Sequence, residues 1–410
     1  MHSFAKWSAS HRPRGRVVVT GIGIVSPFGV GREICWSAIC AGRSAVRWLD
    51  SDVWEDCSPL EARWAGAPAP SEFHGPQREP VVEMALAAAR EAVQHAGLSA
   101  PSARGGCVIG TSKLGLRSFA RALRGRQSGL PVHESFMPND AARAIAAEWN
   151  LPGAALCPVA ACATGLVSLI RGADLIRSGE CEVVFAGSSD ASLVPIVLGS
   201  FQRLGVLARG FHDAATACRP FDAERSGFVI GEGAAVLVLE DAAHALARGA
   251  TPLAEFVAGG LASDPSGLTQ LDPDGTSLAW LIRDVLRRAD VSADEVDAIN
   301  LHGTGTPAND ATETRAIRTA LGAAADRVVA SSQKGAIGHL LGAAGSIESA
   351  FAVLSLRDQV MPPTINLRTP DPACDLDYVA NVVRPRSLRT ILKVSLGFGG
   401  HVAVGLFRTW

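Results

Sequence analysis

Short runs of apolar, β-branched residues alternate along this chain with longer stretches in which apolar positions recur every third or fourth residue. RVVVTGIGIVSPFG (16–29) opens as a buried strand and closes on Gly and Pro, whereas EPVVEMALAAAREAVQHAGL (79–98) has helical spacing and stops at Gly97. GGCVIGTS and CEVVFAGSSDAS each predict a strand running into a small-residue loop, and GEGAAVLVLED (231–241) a strand preceded by glycine turns. The strands are apolar throughout rather than alternating. Burial on both faces follows, and with it an α/β fold with covered sheets.

The plan then repeats. PLAEFVAGG predicts a first strand, LAWLIRDVLRRADVS a helix, and VDAINLHGTGTP a strand entering a loop. VVASSQKGAIGHLLGAAGSIESAFAVLSL has the same strand, small-residue turn and helix as the segment around PVAACATGLVSL (158–169), and LKVSLGFGGHVAVGLF (392–407) closes with two strands around a glycine turn. No Pro- or Ser-rich linker separates the halves, so they are expected to share one core: a loose tail over 1–15, a first half over 16–250 and a second over 251–410.

Composition narrows the function. At 410 residues, 48% apolar and 19% charged, the chain has a globular composition and can bury a large core. A net charge of −2 without a basic run argues against nucleic acid, and no apolar run reaches the length of a membrane span. The start, MHSFAKWSASHRPRG, is polar and basic and is not a secretory signal. Nine cysteines, an odd number without a C-x-x-C pair, suggest neither a disulfide framework nor a zinc site, so no metal and a reducing cytoplasm are expected.

Cys162 stands apart from the other cysteines. A helix from about Ala163 to Ser178 would bury the stripe Leu166, Leu169, Ile170, Ala173 and Ile176 and leave Cys162 at its N-terminus. There the unpaired N–H groups and the helix dipole favour a thiolate. A small buried core residue is the competing reading for a lone cysteine. His302, where VDAINL gives way to a Gly/Thr loop, and His339, between a glycine turn and a helix, both fall at strand ends, where α/β active sites gather, although either taken singly could equally be a satisfied structural histidine. A thiolate that takes an acyl group, with two N–H donors for an enolate or oxyanion, is what acyl-thioester chemistry needs. Lys334 and Glu348 could form a pair that sets the local charge, and the GFGG turn (397–400) offers backbone N–H groups. GIGIVSP lacks the third glycine of a dinucleotide fingerprint, and GAIGHLLG lacks the G-K-[ST] of a phosphate loop.

The ordered set VTGIGIVSPFG, ACATG, RPFDAERSGFVIGEGA, HGTGTPAND, SSQKGAIGHLLGAAG and GFGG resembles the β-ketoacyl-acyl-carrier-protein synthases of type II, within the thiolase superfamily, from about Val17 to Phe407. The resemblance implies a five-layered αβαβα fold of two similar halves, a homodimer, and decarboxylative Claisen condensation of an acyl group with malonyl-acyl-carrier protein in fatty-acid or polyketide-type biosynthesis. It implies Cys162 as the acylated nucleophile, His302 and His339 as the pair acting on the malonyl thioester, and Lys334 and Glu348 as their supporting ion pair. The oxyanion hole would be the N–H groups of Cys162 and Phe398, with Phe398 also a gate. Thr304, Thr306 and Thr269 would hold the pantetheine arm. No separate cofactor is implied, because the substrates ride on the phosphopantetheine of the carrier protein.

Some positions depart from that family. His401-Val402 follows GFGG where the family has Thr-Asn, and Lys113 stands in GTSKLG where chain-elongating members have a small or aliphatic residue beside the acyl pocket. Before Met84, where the family carries several basic residues, only Arg78 stands out. These changes make a specialised synthase a rival to fatty-acid elongation. A non-catalytic chain-length-factor-like partner subunit would lack the nucleophile, and a degradative thiolase would need a second cysteine near the C-terminus, whereas the last here is Cys374.

Overall fold

The computed structural model describes residues 15–49, 65–74, 79–98, 103–113, 115–123 and 137–410; the expected tail, but for Gly15, and Arg78 lie outside these. Val17–Ser26 (β1), Gly105–Gly110 (β2), Ala155–Leu156 (β3), Val183–Asp190 (β4) and Gly233–Asp241 (β5) form the sheet of the first half, in the order β1-β5-β4-β2-β3. Ala254–Ser263 (β6), Ala298–Asn300 (β7), Val329–Ser331 (β8), Asp377–Tyr378 (β9), Thr390–Gly397 (β10) and His401–Arg408 (β11) form the second, in the order β6-β11-β10-β7-β8-β9. Without the added edge strand β9 the two orders are the same. In each half the first strand lies antiparallel to the last, and the two strands that feed the site loops are parallel neighbours. The sheets meet at a short antiparallel seam, Val18 opposite Glu255 and Val19 opposite Ala254.

The principal helices are Pro80–Ala96 (α1), Asp140–Glu148 (α2), Thr164–Arg177 (α3), Thr276–Ala289 (α4), Pro307–Leu321 (α5), Lys334–Ile337 (α6) and Ala344–Asp358 (α7). α1 and α2 cover the outer face of the first sheet, α4 and α5 that of the second, and α3 and α7 lie between the sheets. This is the expected αβαβα layering. Its middle layer explains the all-apolar strands and an α7 buried without a break from Ala344 to Leu356. α1 starts on Pro80 and ends at Gly97 in the left-handed conformation, φ 63°.

The predicted stripe of Leu166, Leu169, Ile170, Ala173 and Ile176 is buried along α3. α3 and α7 cross at glycines: a Cβ on Gly165 would lie 2.2 Å from the Ser346 nitrogen, and one on Gly345 2.4 Å from the Leu166 nitrogen. The two backbones are therefore in contact. The buried hydroxyls of Ser188 and Ser346 share a hydrogen bond of 2.6 Å beside this crossing.

Candidate active site

Each central helix is entered through a tight turn. Ala161–Ala163 forms a 3₁₀ turn ahead of α3, and Leu341–Ala343 forms its counterpart ahead of α7. Both turns begin on a non-glycine residue with positive φ, 47° at Ala161 and 48° at Leu341, a conformation held against its own strain. Cys162 occupies the middle of the first turn, and Gly342 the same place in the second. The Ala160 N–H donates to the Thr164 hydroxyl at 2.8 Å and ties the turn to the helix. β10 ends against this turn: a Cβ on Gly397 would lie 2.6 Å from the Ala160 carbonyl oxygen and 3.2 Å from the Cys162 nitrogen. Only glycine fits there, which gives the first glycine of GFGG a structural reason.

His302 follows β7, and His339 follows the α6 turn through Gly338 at φ 71°. The imidazoles meet edge to face with ring centroids 5.3 Å apart, and Phe228 packs its ring edgewise on His339 at 5.1 Å. Cys162, His302 and His339 line one cleft of about 630 Å³, together with Thr269, Thr304, Thr306 and Phe398. Thr304 and Thr306 share a hydroxyl contact of 2.9 Å, and the Thr306 hydroxyl also caps α5 by accepting the Asn309 N–H. Phe398 lies in the turn between β10 and β11, against Phe201. Thr269 is exposed on the loop before α4.

The electrostatics differ from the helix-terminus expectation for Cys162. Burial pushes its thiol up to about 11, with Lys113 and then Lys334 drawing it back. Burial in the apolar cluster that also holds Leu193, Phe228 and Leu341 outweighs the helix terminus, so at neutral pH the resting sulfur is a thiol. Burial, and next the charge of Lys334, holds both imidazoles well below their ordinary range and therefore neutral. The Leu341 N–H points to His339 Nδ1 at 3.3 Å, which leaves Nε2 as the protonated nitrogen. His302 Nδ1 is buried with no hydrogen-bond partner among the described residues.

Lys334 and Glu348 do not line the cleft. They pair beneath it, fully buried, and the Lys334 ammonium also donates to the His302 carbonyl. Lys113 is not on the cleft wall either. Its ammonium donates to Ser112 Oγ at 2.6 Å and Ser192 Oγ at 2.9 Å and lies 3.6 Å from the buried Asp190 carboxylate, which also accepts the Gly342 N–H at 3.0 Å. His401 is exposed at the start of β11. Two residues of the site escaped the motif reading. Glu313 on α5 accepts the N–H groups of His302 and Gly303 at 2.7 and 2.8 Å, and Lys393 in β10 lies 2.8 Å from Glu348. A lysine inside the apolar run TILKVSLG was the readable sign of the second.

A doubled mixed sheet with two buried helices between its copies, and a cysteine at the head of one of them, is the architecture of a thiolase-superfamily acyltransferase. The family descriptions "Beta-ketoacyl synthase, N-terminal domain" and "Beta-ketoacyl synthase, C-terminal domain" match residues 14–245 and 253–368. The chain belongs to the β-ketoacyl synthase family and is a condensing enzyme. It is 38% identical over 408 residues to the tetracenomycin polyketide synthase ketoacyl synthase alpha subunit of Streptomyces glaucescens, covering 94% of this chain and 95% of that one. It is 34% identical over 400 residues to 3-oxoacyl-[acyl-carrier-protein] synthase 2 of Coxiella burnetii, covering 94% and 96%. A solved type II polyketide ketosynthase, in complex with its acyl-carrier protein and bound to the hexaketide, superposes with a TM-score of 0.90 at 33% identity over 97% of this chain and all of that one.

Proposed function

We propose that Cys162 takes the acyl group from an acyl-carrier-protein thioester and that His302 and His339 then act on malonyl-carrier protein. The convergence of these three residues on one cleft carries this reading. The sulfur's proton must leave during attack, because burial keeps the thiol protonated until then. Transfer forms the Cys162 thioester and releases the carrier thiol. Malonyl then loses carbon dioxide, and the enolate attacks the Cys162 thioester, forming the new carbon–carbon bond and freeing the sulfur. A neutral imidazole protonated at Nε2 donates to the thioester oxygen, where the enolate charge develops. The N–H groups of Cys162 and Phe398 are assigned to the acyl oxyanion, with Phe398 as the gate. Thr304, Thr306 and Thr269 are assigned to the pantetheine arm. Lys334 and Glu348 act through His302 as its support. No cofactor beyond the carrier's phosphopantetheine enters any step.

The polar cluster of Lys113, Asp190, Ser112 and Ser192 lies behind the cleft wall but within electrostatic reach of the sulfur, and an acyl chain that extends from Cys162 toward it would meet paired polar groups in place of an apolar sleeve, which suits a short or oxygenated acyl group better than a long alkyl chain. The chain is assigned to polyketide-type rather than housekeeping elongation on that ground. Cys162 itself argues against a non-catalytic partner subunit. A homodimer is assigned through the edge strand β3, which ends the first sheet beside exposed Met137 and Val159. The division at 250/251 belongs to the same proposal, supported by the turn between Ala247 and Ala254 that separates the two sheets. A cytoplasmic location fits a carrier-protein partner, and no helix among the described residues is long and apolar enough to cross a membrane.

Intact-mass measurement of the enzyme after incubation with a panel of acyl-carrier-protein thioesters tests the reading. An acyl adduct lost in Cys162→Ala is expected, and its mass names the substrate; an adduct that survives the substitution overturns the assignment. His302→Ala and His339→Ala should keep the adduct but lose ~10²–10³ in malonyl decarboxylation.

A further inference from the structure

Lys393 is a fully buried cation in the middle of β10 that none of the steps above uses. Its ammonium donates to the carbonyl oxygens of Val394 and, at 3.3 Å, Leu301, and lies 2.8 Å from Glu348 Oε2. Lys334 donates to the next carbonyl, that of His302, and to Glu348 Oε1. Two consecutive peptide carbonyls are thus each held by a lysine, and both lysines converge on the two oxygens of one carboxylate. The N–H groups of His302 and Gly303 end on Glu313. Glu348 Oε2 accepts no hydrogen bond among the described residues, so the Lys393 ion pair is the charge that answers it.

We propose that Lys393 is a positioning residue of the condensing reaction: with Lys334 it clamps Glu348 and the main chain on either side of His302, and so fixes that imidazole over the cleft. The inference rests on the reading of His302 as catalytic. An unanswered buried carboxylate oxygen is costly, and without Lys393 the Glu348 side chain and the His302 peptide it anchors through Lys334 would both shift.

The clamp depends on pH. Burial lowers the Lys393 ammonium to about 8, against the pull of Glu348, so its charge is present below that pH and lost above it. Glu348 faces it from α7, Lys334 from α6 and Glu313 from α5, and His302 and His339 are the imidazoles nearby. Burial pushes Glu313 up to about 7, so near neutrality the second carboxylate becomes charged while Lys393 still is. Malonyl decarboxylation should therefore fall above pH ~8 in the parent enzyme.

The test compares Lys393→Met, Lys393→Gln and His302→Ala in the full-length enzyme. Cys162 acylation is followed by intact mass, and malonyl-pantetheine decarboxylation by release of carbon dioxide from pH 6.5 to 9.5. Both Lys393 variants are expected to acylate like the parent, to decarboxylate up to roughly a hundredfold more slowly at pH 7, as for a misplaced reacting group, and to lose the alkaline fall. If Met disturbs folding, Gln, which keeps an N–H donor for the two carbonyls, decides. A parental rate with a parental pH profile in the lysine variants, while His302→Ala is slow, would overturn the proposal and leave the reading of His302 intact. A parental rate in His302→Ala would overturn that reading itself. Loss of acylation in both lysine variants would also overturn the proposal, because the lysine would then be holding the Cys162 turn or the fold.

Discussion

At the scale of single residues, burial decides how the sulfur behaves. With the thiol pushed up to about 11, the thiolate fraction of Cys162 is small at neutral pH and grows about tenfold per unit of pH. Alkylation of Cys162 by iodoacetamide should rise steeply from pH 7 to 10 without a plateau, as measured by peptide mapping. A plateau by pH 8 would mean that the sulfur is held as an ion pair with an imidazole. Lys113 is the first of the charges that draw the thiol down, so Lys113→Ile should slow alkylation at fixed pH. The same variant leaves the buried Asp190 carboxylate with hydroxyl and N–H donors alone, at a cost of roughly 1–3 kcal/mol in a denaturant titration. It should also shift Cys162 loading toward longer saturated chains, read as the ratio of acyl-enzymes over a thioester series. An unchanged ratio would place the acyl chain away from Lys113 and refute the polar selection argued above.

Among the elements, the two turn-helix units carry the precision of the site. Gly165→Ala would drive a Cβ into the Ser346 nitrogen, force α3 and α7 apart, and cost about 1–3 kcal/mol, seen as a lower urea midpoint. An unchanged midpoint would show that the helices separate freely. Gly397→Ala should reduce acylation of Cys162 more than it reduces stability, because its Cβ would press on the turn that holds Cys162. Much of this was legible in the sequence. Apolar runs marked the strands, the stripe from Leu166 to Ile176 marked α3, and small-residue turns marked the two entrances. The direction of the Cys162 shift was not legible, because the apolar cluster that buries it, with Leu193, Phe228 and Leu341 among its members, is drawn from separate segments. The compensation of Lys113 was hidden for the same reason, since Asp190 ends a different strand. Lys393 was visible as a charge in an apolar strand, but its partner Glu348 is brought to it only by the packing of α7 on β10.

For the whole molecule, the edge at β3 predicts self-association. Sedimentation should show a dimer at micromolar concentration, and Val159→Arg should weaken it; a monomeric parent would refute the pairing, and association only with a related chain would make the assembly heteromeric. The contact of α3 with α7 reaches further than stability. Cys162 precedes one helix and His339 the other, and each helix comes from a different half of the chain. Two backbones that touch at Gly165 and Gly345 leave no tolerance for a partner of another shape. A side chain added at either glycine would have to be answered on the facing helix, so at this crossing the two halves of the chain are constrained to change together.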